Sequence, residues 1–258
     1  MLLVALTTLA SRPSRAQGAA DAARPRALTS FVAAEYGVEG FNDATSPWQL
    51  ASLSIGRASD AGSLIGRANV ARRFGLNGTQ FEADAYPRLS STLYGYLNLG
   101  YSAASIFPTW RSGAELFASL PSAWEASVGY RYLGFTGTPV TLITGSVGRY
   151  VGNYWVSLRP YVRANGETSA SANLAVRRYT VDADHYVGLR IGGGRAPSDL
   201  VAPDQVARVS SFTAGVQGST GLGPALLWTW SLGVDRDELA PGITRVGTAA
   251  SAGLKFRF

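Results

Sequence analysis

The sequence predicts an all-β fold, a transmembrane antiparallel up-and-down β-barrel of fourteen strands preceded by a signal peptide, and three observations carry that prediction. The first is the C-terminus, where Leu254-Lys255-Phe256-Arg257-Phe258 alternates large apolar with basic residues and closes on phenylalanine. Read backwards with period two, Phe258, Phe256, Leu254, Ala252, Ala250, Thr248 and Val246 share one face. Arg257, Lys255, Gly253, Ser251 and Gly247 share the other. One face suits lipid and the other suits water, as the last strand of an outer-membrane barrel requires. The alternative is an amphipathic edge strand of a soluble sandwich.

Composition is the second observation. Hydrophobic residues make up 46% and charged residues 16%, with 30 Gly, 12 Tyr and 6 Trp among 258 residues, which is poor in charge and rich in aromatics for a globular chain. No run of about 18 apolar residues follows the N-terminus, so helices are not the spanning elements. Cysteine is absent, which removes disulfides and thiolate metal or redox sites. The single histidine, His185, leaves no His-rich metal site, and no cofactor or metal is expected.

The third observation is a train of strand-length segments, each near the 9 to 11 residues (roughly) that cross a bilayer at a tilt. Ahead of it, residues 1–16 read as a signal peptide. Leu2 to Ala10 is apolar and Ser14-Arg15-Ala16 offers a small-x-small cleavage site, with Ala20-Asp21-Ala22 placing cleavage as late as residue 22. Cleavage after Ala16 removes Arg12 and Arg15 and takes the formal charge from +6 to +4. Residues 17–28 then form a flexible periplasmic lead-in to a barrel over 29–258.

Strands are predicted near 29–38, 48–56, 63–74, 79–86, 91–101, 111–120, 123–134, 139–149, 152–163, 170–180, 184–192, 208–218, 224–235 and 246–257. Fourteen is even, as a single-chain barrel with both termini in the periplasm requires. Fusing weak segments, such as those on either side of Asn77-Gly78, leads to twelve, the alternative count. Short connections at Arg57 to Gly62, Pro87 to Ser90, Pro121-Ser122, Val151 and Val181 to Ala183 read as periplasmic turns. The longer stretches Val38 to Pro47, Ser102 to Trp110, Gly193 to Ala207 and Arg236 to Arg245 read as outer loops.

Alternation within the segments sorts lipid from lumen. In 152–163, Tyr154, Val156, Leu158, Pro160 and Val162 oppose Trp155, Ser157, Arg159, Tyr161 and Arg163. Segments 48–56 and 139–149 alternate poorly and have no predicted orientation. A charge on the lipid face at mid-membrane costs roughly 2–4 kcal/mol, so charged rows belong inside. The lumen-lining candidates are therefore Arg67, Glu82, Asp84, Arg111, Glu115 and Glu125 in the first half, and Arg131, Arg159, Arg163, Arg177 and Arg190 beyond it. Glu35, Arg73, Lys255 and Arg257 fall on the same rows. Arginine forks can grip carboxylates, other anions or sugar groups where lysine acts as a point charge. Two readings follow: a cation-lined passage, or an interior filled by pairs between these arginines and Glu82, Asp84, Glu115 and Glu125. Fourteen strands are compatible with either. Trp48, Trp110, Tyr130, Tyr150, Tyr154, Trp228 and Trp230 are expected in the headgroup zones.

Several strings resemble the YaiO family of outer-membrane β-barrels. They are Ser63-Leu64-Ile65-Gly66-Arg67-Ala68-Asn69, Arg73-Phe74-Gly75 and Gly78 to Pro87, then Gly113-Ala114-Glu115-Leu116 and Glu125 to Leu133. Gly148 to Trp155, Arg177-Arg178-Tyr179 and Asp182-Ala183-Asp184 continue the likeness, which runs from about residue 30 to the end. The resemblance implies a bacterial outer-membrane location and supplies no substrate and no catalytic residue.

Enzyme chemistry would have to start from His185 with Asp184 or Ser169, but His185 follows a periplasmic turn and Ser169 lies at the outer end of the preceding strand. A solvated or girdle histidine is expected instead. Gly192-Gly193-Gly194 lacks the strand-to-helix setting of a phosphate cradle. A pI near 9.8 does not point to nucleic acid, because the basic residues alternate with apolar ones along strands. The sequence thus predicts a non-enzymatic outer-membrane barrel acting as a passive channel or export pore with an Arg-rich lumen. Its expected partners are membrane lipid, a polysaccharide or small anionic solute, and the barrel-assembly machinery through Leu254, Phe256 and Phe258. A closed structural or adhesion-like barrel that binds a partner through its outer loops is the alternative.

Overall fold

The computed structural model describes residues 30–195 and 210–258. The expected signal peptide, the whole lead-in and most of the 193–207 loop lie outside the described residues. Fourteen strands close into one antiparallel barrel. They are β1 (Ser30–Phe41), β2 (Trp48–Ser59), β3 (Gly62–Arg73), β4 (Leu76–Pro87), β5 (Leu93–Tyr101), β6 (Trp110–Leu120) and β7 (Trp124–Phe135). The circuit continues through β8 (Thr138–Val151), β9 (Tyr154–Arg163), β10 (Ala170–Tyr179), β11 (Tyr186–Gly194), β12 (Ser210–Gly221), β13 (Leu226–Ala240) and β14 (Ile243–Arg257). Among the described residues the sole helical element is a 3-10 turn at Pro121–Ala123.

Each strand pairs with its sequence neighbours, and β1 closes on β14. The seam runs from Phe31 opposite Arg257 to Phe41 opposite Gly247. Beyond it Ser30 and Phe258 exchange both backbone bonds at 2.9 Å, so no strand is left as an open edge. The end of the barrel that carries Ser30 and Phe258 is the terminal end; the other is the distal end.

The twelve-strand alternative is overturned by a two-residue reversal between β3 and β4. Phe74 and Gly75 both take positive φ, 55° and 73°, the requirement of the tight hairpin turn that matches strand twist. The expected long outer loop at Arg236 to Arg245 is also corrected. β13 and β14, at 15 residues each, run on to Pro241-Gly242, where Gly242 has φ 78°. Proline at the first corner and a glycine able to take positive φ at the second suit this turn. The stretch reads as loop because it is highly charged, yet Asp235, Asp237 and Arg245 stand on the inward row and are buried.

The exterior is apolar. Leu53, Ile55, Leu64, Phe81, Leu99, Val128, Leu158 and Leu232 all stand outward with more than half of their surface exposed, as the lipid-facing row of a membrane strand must. β8 now has an orientation: Val140, Leu142, Thr144 and Ser146 are buried inward while Ile143 and Val147 face out. Its alternation is blurred because its inward residues at the distal end are apolar too. β2 behaves likewise, with Trp48 and Leu50 inward and Leu53 and Ile55 outward.

Candidate functional site

The interior has walls of different chemistry. Along β3 to β7 the inward charges are neutralised by one another. Glu82 and Asp84 occupy successive inward positions on β4, and Arg67 on β3 reaches both, at 3.2 and 3.3 Å. Arg111 on β6 reaches across β5 to Glu82 at 3.2 Å and donates Nε to Asn98 Oδ1 at 3.0 Å. Asn98 Nδ2 and the Tyr96 hydroxyl donate to Asp84 at 2.6 and 3.2 Å, and Asn69 donates to Glu82 at 3.1 Å. Glu115, whose side chain has no exposed surface, accepts from Arg131, from Ser127 Oγ and from Arg159 at 2.7 Å. Every carboxylate oxygen of Glu82, Asp84 and Glu115 thus has a donor, the condition under which buried charge is tolerable. Glu125 departs from the expected arginine pairing: the Tyr94 hydroxyl donates to it at 3.0 Å, and Tyr94 stacks on Phe117 at 4.6 Å.

Apolar side chains fill parts of this half and, at the distal end, extend onto β8 and β9. At the terminal end Ile65, Tyr86, Tyr96 and Phe117 cluster inside. At the distal end Leu133, Phe135, Val140, Leu142 and Tyr161 form a second cluster. The β5–β6 loop, residues 102–109, folds inward and packs Ile106 and Phe107 on Ala71. Ser102 anchors it, donating Oγ to the Thr79 carbonyl at 2.7 Å. Gly78 makes room, since a Cβ there would stand 2.5 Å from the Ala104 methyl and 2.8 Å from Ile106. Trp48 is corrected from the headgroup zone to this interior. It is buried and packs edge-on to Phe41 and Phe74, with the guanidiniums of Arg73 and Arg245 5.4 and 5.1 Å from its ring. Trp110, Tyr130, Tyr154 and Trp228 do stand outward and exposed.

The wall from β8 to β12 contrasts with this. None of these five strands contains an Asp or Glu, while Arg159, Arg163, Arg177 and Arg190 occupy their inward rows. Around them lie small or hydroxyl-bearing residues: Ser157, Ser171, Gly188, Gly192, Thr213 and Ser219. Arg177 is gripped by rings instead of carboxylates, 5.4 Å from Trp155 and 4.8 Å from Tyr186. The Nε atoms of Arg163 and Arg177, with Ser171 Oγ, are buried and have no hydrogen-bond partner among the described residues.

Two groupings at the barrel ends escaped the sequence reading. Distally, Glu39, Asp235 and Asp237 are buried near Arg245, which lies 3.8 Å from Asp237. The missed signal was alternation carried through charged residues. At the terminal end the β10–β11 turn clasps the last strand: Lys255 and Arg257 bind Asp184 at 2.8 and 3.0 Å, passing over β12 and β13. His185, expected to be solvated or in the girdle, belongs to this clasp. Its Nδ1 lies 2.6 Å from Asp182 Oδ1, and its side chain is only 16% exposed. Burial of Asp182 pushes its carboxyl up, but the hydrogen bonds from His185 and the Asp184 amide outweigh it and hold the carboxyl below its ordinary value. The pairing is with Asp182, not Asp184, and Ser169 lies at the distal end. Among the described residues no group of three His, Cys, Asp or Glu could hold a metal ion.

The model of the YaiO membrane β-barrel domain matches residues 30–199. The chain belongs to this family. No curated protein matches the sequence. Among solved structures, the monoaromatic hydrocarbon channel CymD is similar with a TM-score of 0.60 at 6% identity, over 89% of this chain and 88% of that one. A bacterial polysaccharide outer-membrane secretin gives 0.55 at 6% identity, over 91% and 100%. Omp33 of Acinetobacter baumannii gives 0.54 at 10% identity, over 90% and 100%. At such identities the likeness is one of fold. As a YaiO barrel with an apolar outer surface the protein resides in the bacterial outer membrane, embedded in its lipid.

Proposed function

We propose that the barrel is a passive channel or export pore whose passage follows the β8–β12 wall and favours an anionic or polysaccharide solute. The observation that carries this reading is the absence of any carboxylate from five consecutive strands that turn four arginines inward. A barrel needing charge only to fill space would neutralise Arg163 and Arg177 as it does Arg67, Arg111 and Arg131 on the other side, whereas neither has a carboxylate partner among the described residues. The terminal end lies in the periplasm, and the outward Leu254, Phe256 and Phe258 are what the barrel-assembly machinery recognises. The solved channel and polysaccharide secretin of similar fold accord with this role. Catalysis and nucleic-acid binding have no part in it.

The inward-folded 102–109 loop favours a second reading, a closed barrel that works through its outer surface. Single-channel recording of the refolded protein separates the two. A passage gives steady current with a reversal potential on the anion side, weakening as salt shortens the Debye length from about 10 Å at 0.1 M. Replacing Arg163 and Arg190 by Gln should move that potential toward the non-selective value. A silent bilayer from correctly folded protein would leave the closed barrel as the answer.

A further inference from the structure

The arginines of the acid-free wall are not scattered. Arg177 pairs in register with Trp155, and Asn173, two inward positions along β10, pairs with Arg159. Between them Ala175 pairs with Ser157 on one side and Arg190 on the other. Successive inward levels from the terminal end therefore carry Arg177, Arg190 and Arg159. The next level carries Tyr161 opposite Ser171, and Arg163 stands one level further. Each level is two residues, about 6.8 Å of strand. The result is a ladder running from one mouth toward the other.

Arg177 sets the character of the ladder. Its guanidinium stands over the rings of Trp155 and Tyr186. Ring contacts hold a guanidinium by its π-faces and leave its N–H edge free to donate. Arg131 and Arg159 make the same kind of contact, with Tyr96 and Phe117, but their edges are taken by Glu115. Arg177 has no such carboxylate among the described residues, and its buried Nε has no acceptor. It is positioned, charged and open on the edge that binds carboxylates. Arg163 and Ser171 present further buried donors without acceptors among the described residues at the distal levels.

We propose that this ladder binds an acidic oligosaccharide threaded along the β9–β11 wall, with Arg177 as its principal carboxylate-binding residue. The inference rests on the passage reading and names its substrate class. One inorganic anion would use one rung. A chain bearing several carboxylates engages Arg177 near the terminal end and the Arg163 and Ser171 donors further along at once, and gains by multivalency. The serines, tyrosines and Asn173 on the same levels match sugar hydroxyls, which a polyphosphate lacks.

The test uses the full barrel in planar bilayers with three probes: a mannuronic acid tetramer, neutral maltotetraose and tripolyphosphate. The acidic tetramer should interrupt the potassium chloride current at concentrations where the other two do not. Arg177→Gln should raise its half-blocking concentration about tenfold, the cost of one hydrogen-bonded charge pair, and Arg177→Lys should restore only part of the block. Equal block by tripolyphosphate, or equal block of wild type and Arg177→Gln, overturns the proposal. If wild type carries no current the passage reading fails by itself. Tryptophan fluorescence in detergent micelles then decides the site: acidic tetramer binding weakened by Arg177→Gln sustains it, and no binding overturns it.

Discussion

On β3–β7, Arg67, Arg111 and Arg131 each meet a buried carboxylate, whereas on β8–β12, Arg163 and Arg177 meet none among the described residues. The same side chain on the same alternating row thus holds one wall together and charges the other. The interior of a barrel cannot be assigned a role from its arginine content. What matters is where the carboxylates are, and here they are confined to β1, β4, β6, β7 and β13 among the strands' inward rows.

The strongest way to break this contrast is at Glu115. Glu115→Leu strands Arg131 and Arg159 in a buried site and should lower stability by about 3–5 kcal/mol, read from urea unfolding of the barrel in micelles. Arg163→Gln, which removes no carboxylate's partner among the described residues, should change it by less than about 0.5 kcal/mol. Similar losses for both would erase the distinction between the walls.

That distinction was only half legible in the sequence. Period-two alternation placed the strands and turned Arg67, Glu82, Asp84, Arg111 and Glu115 inward, because the cost of charge in lipid leaves no alternative. It could not say which arginine meets which carboxylate. Arg111 reaches Glu82 across an intervening strand, and Arg159 reaches Glu115 from β9, three strands away. Such contacts depend on barrel curvature and side-chain length, which have no local signature. The Trp48 placement failed for a related reason: an aromatic near a strand end is equally at home in a headgroup zone or in a mouth packed by Phe41 and Phe74. The inward fold of the 102–109 loop was hidden because Ile106-Phe107 is too short to show a period.

A smaller effect sharpens the comparison from the filled side. Ile106→Asp puts a charge where the side chain is 1% exposed and should expel the loop, losing roughly 1.5–3 kcal/mol of apolar burial. Conductance should rise while anion selectivity, set on the opposite wall, stays. A fall in conductance would mean that the loop shapes the passage instead of narrowing it.

The smallest effect is expected at the clasp. Asp182 has a carboxyl held below its ordinary value of 3.8, so the stabilisation it gives is complete above that value and is lost as the pH falls through its lower folded-state pKa. At a half-exposed site this amounts to less than about 1 kcal/mol. Protection of the Thr180 to His185 amides against hydrogen exchange, relative to their intrinsic rates, should fall on acidification below pH 3.8 in wild type, and in Asp182→Asn it should already be low at neutral pH. Identical exchange in both would remove Asp182 from the clasp.

The seam has a consequence for biogenesis. Ser30 and Phe258 exchange hydrogen bonds although 228 positions separate them in the chain. Bringing the ends of so long a segment together costs about 5 kcal/mol in chain entropy before the first seam bond forms. Until then β1 and β14 are two open edges, each a template for any strand that drifts past. Closure is therefore the slow, non-local step of this topology, and the interval before it is when a nascent chain is most exposed to pairing with the wrong molecule.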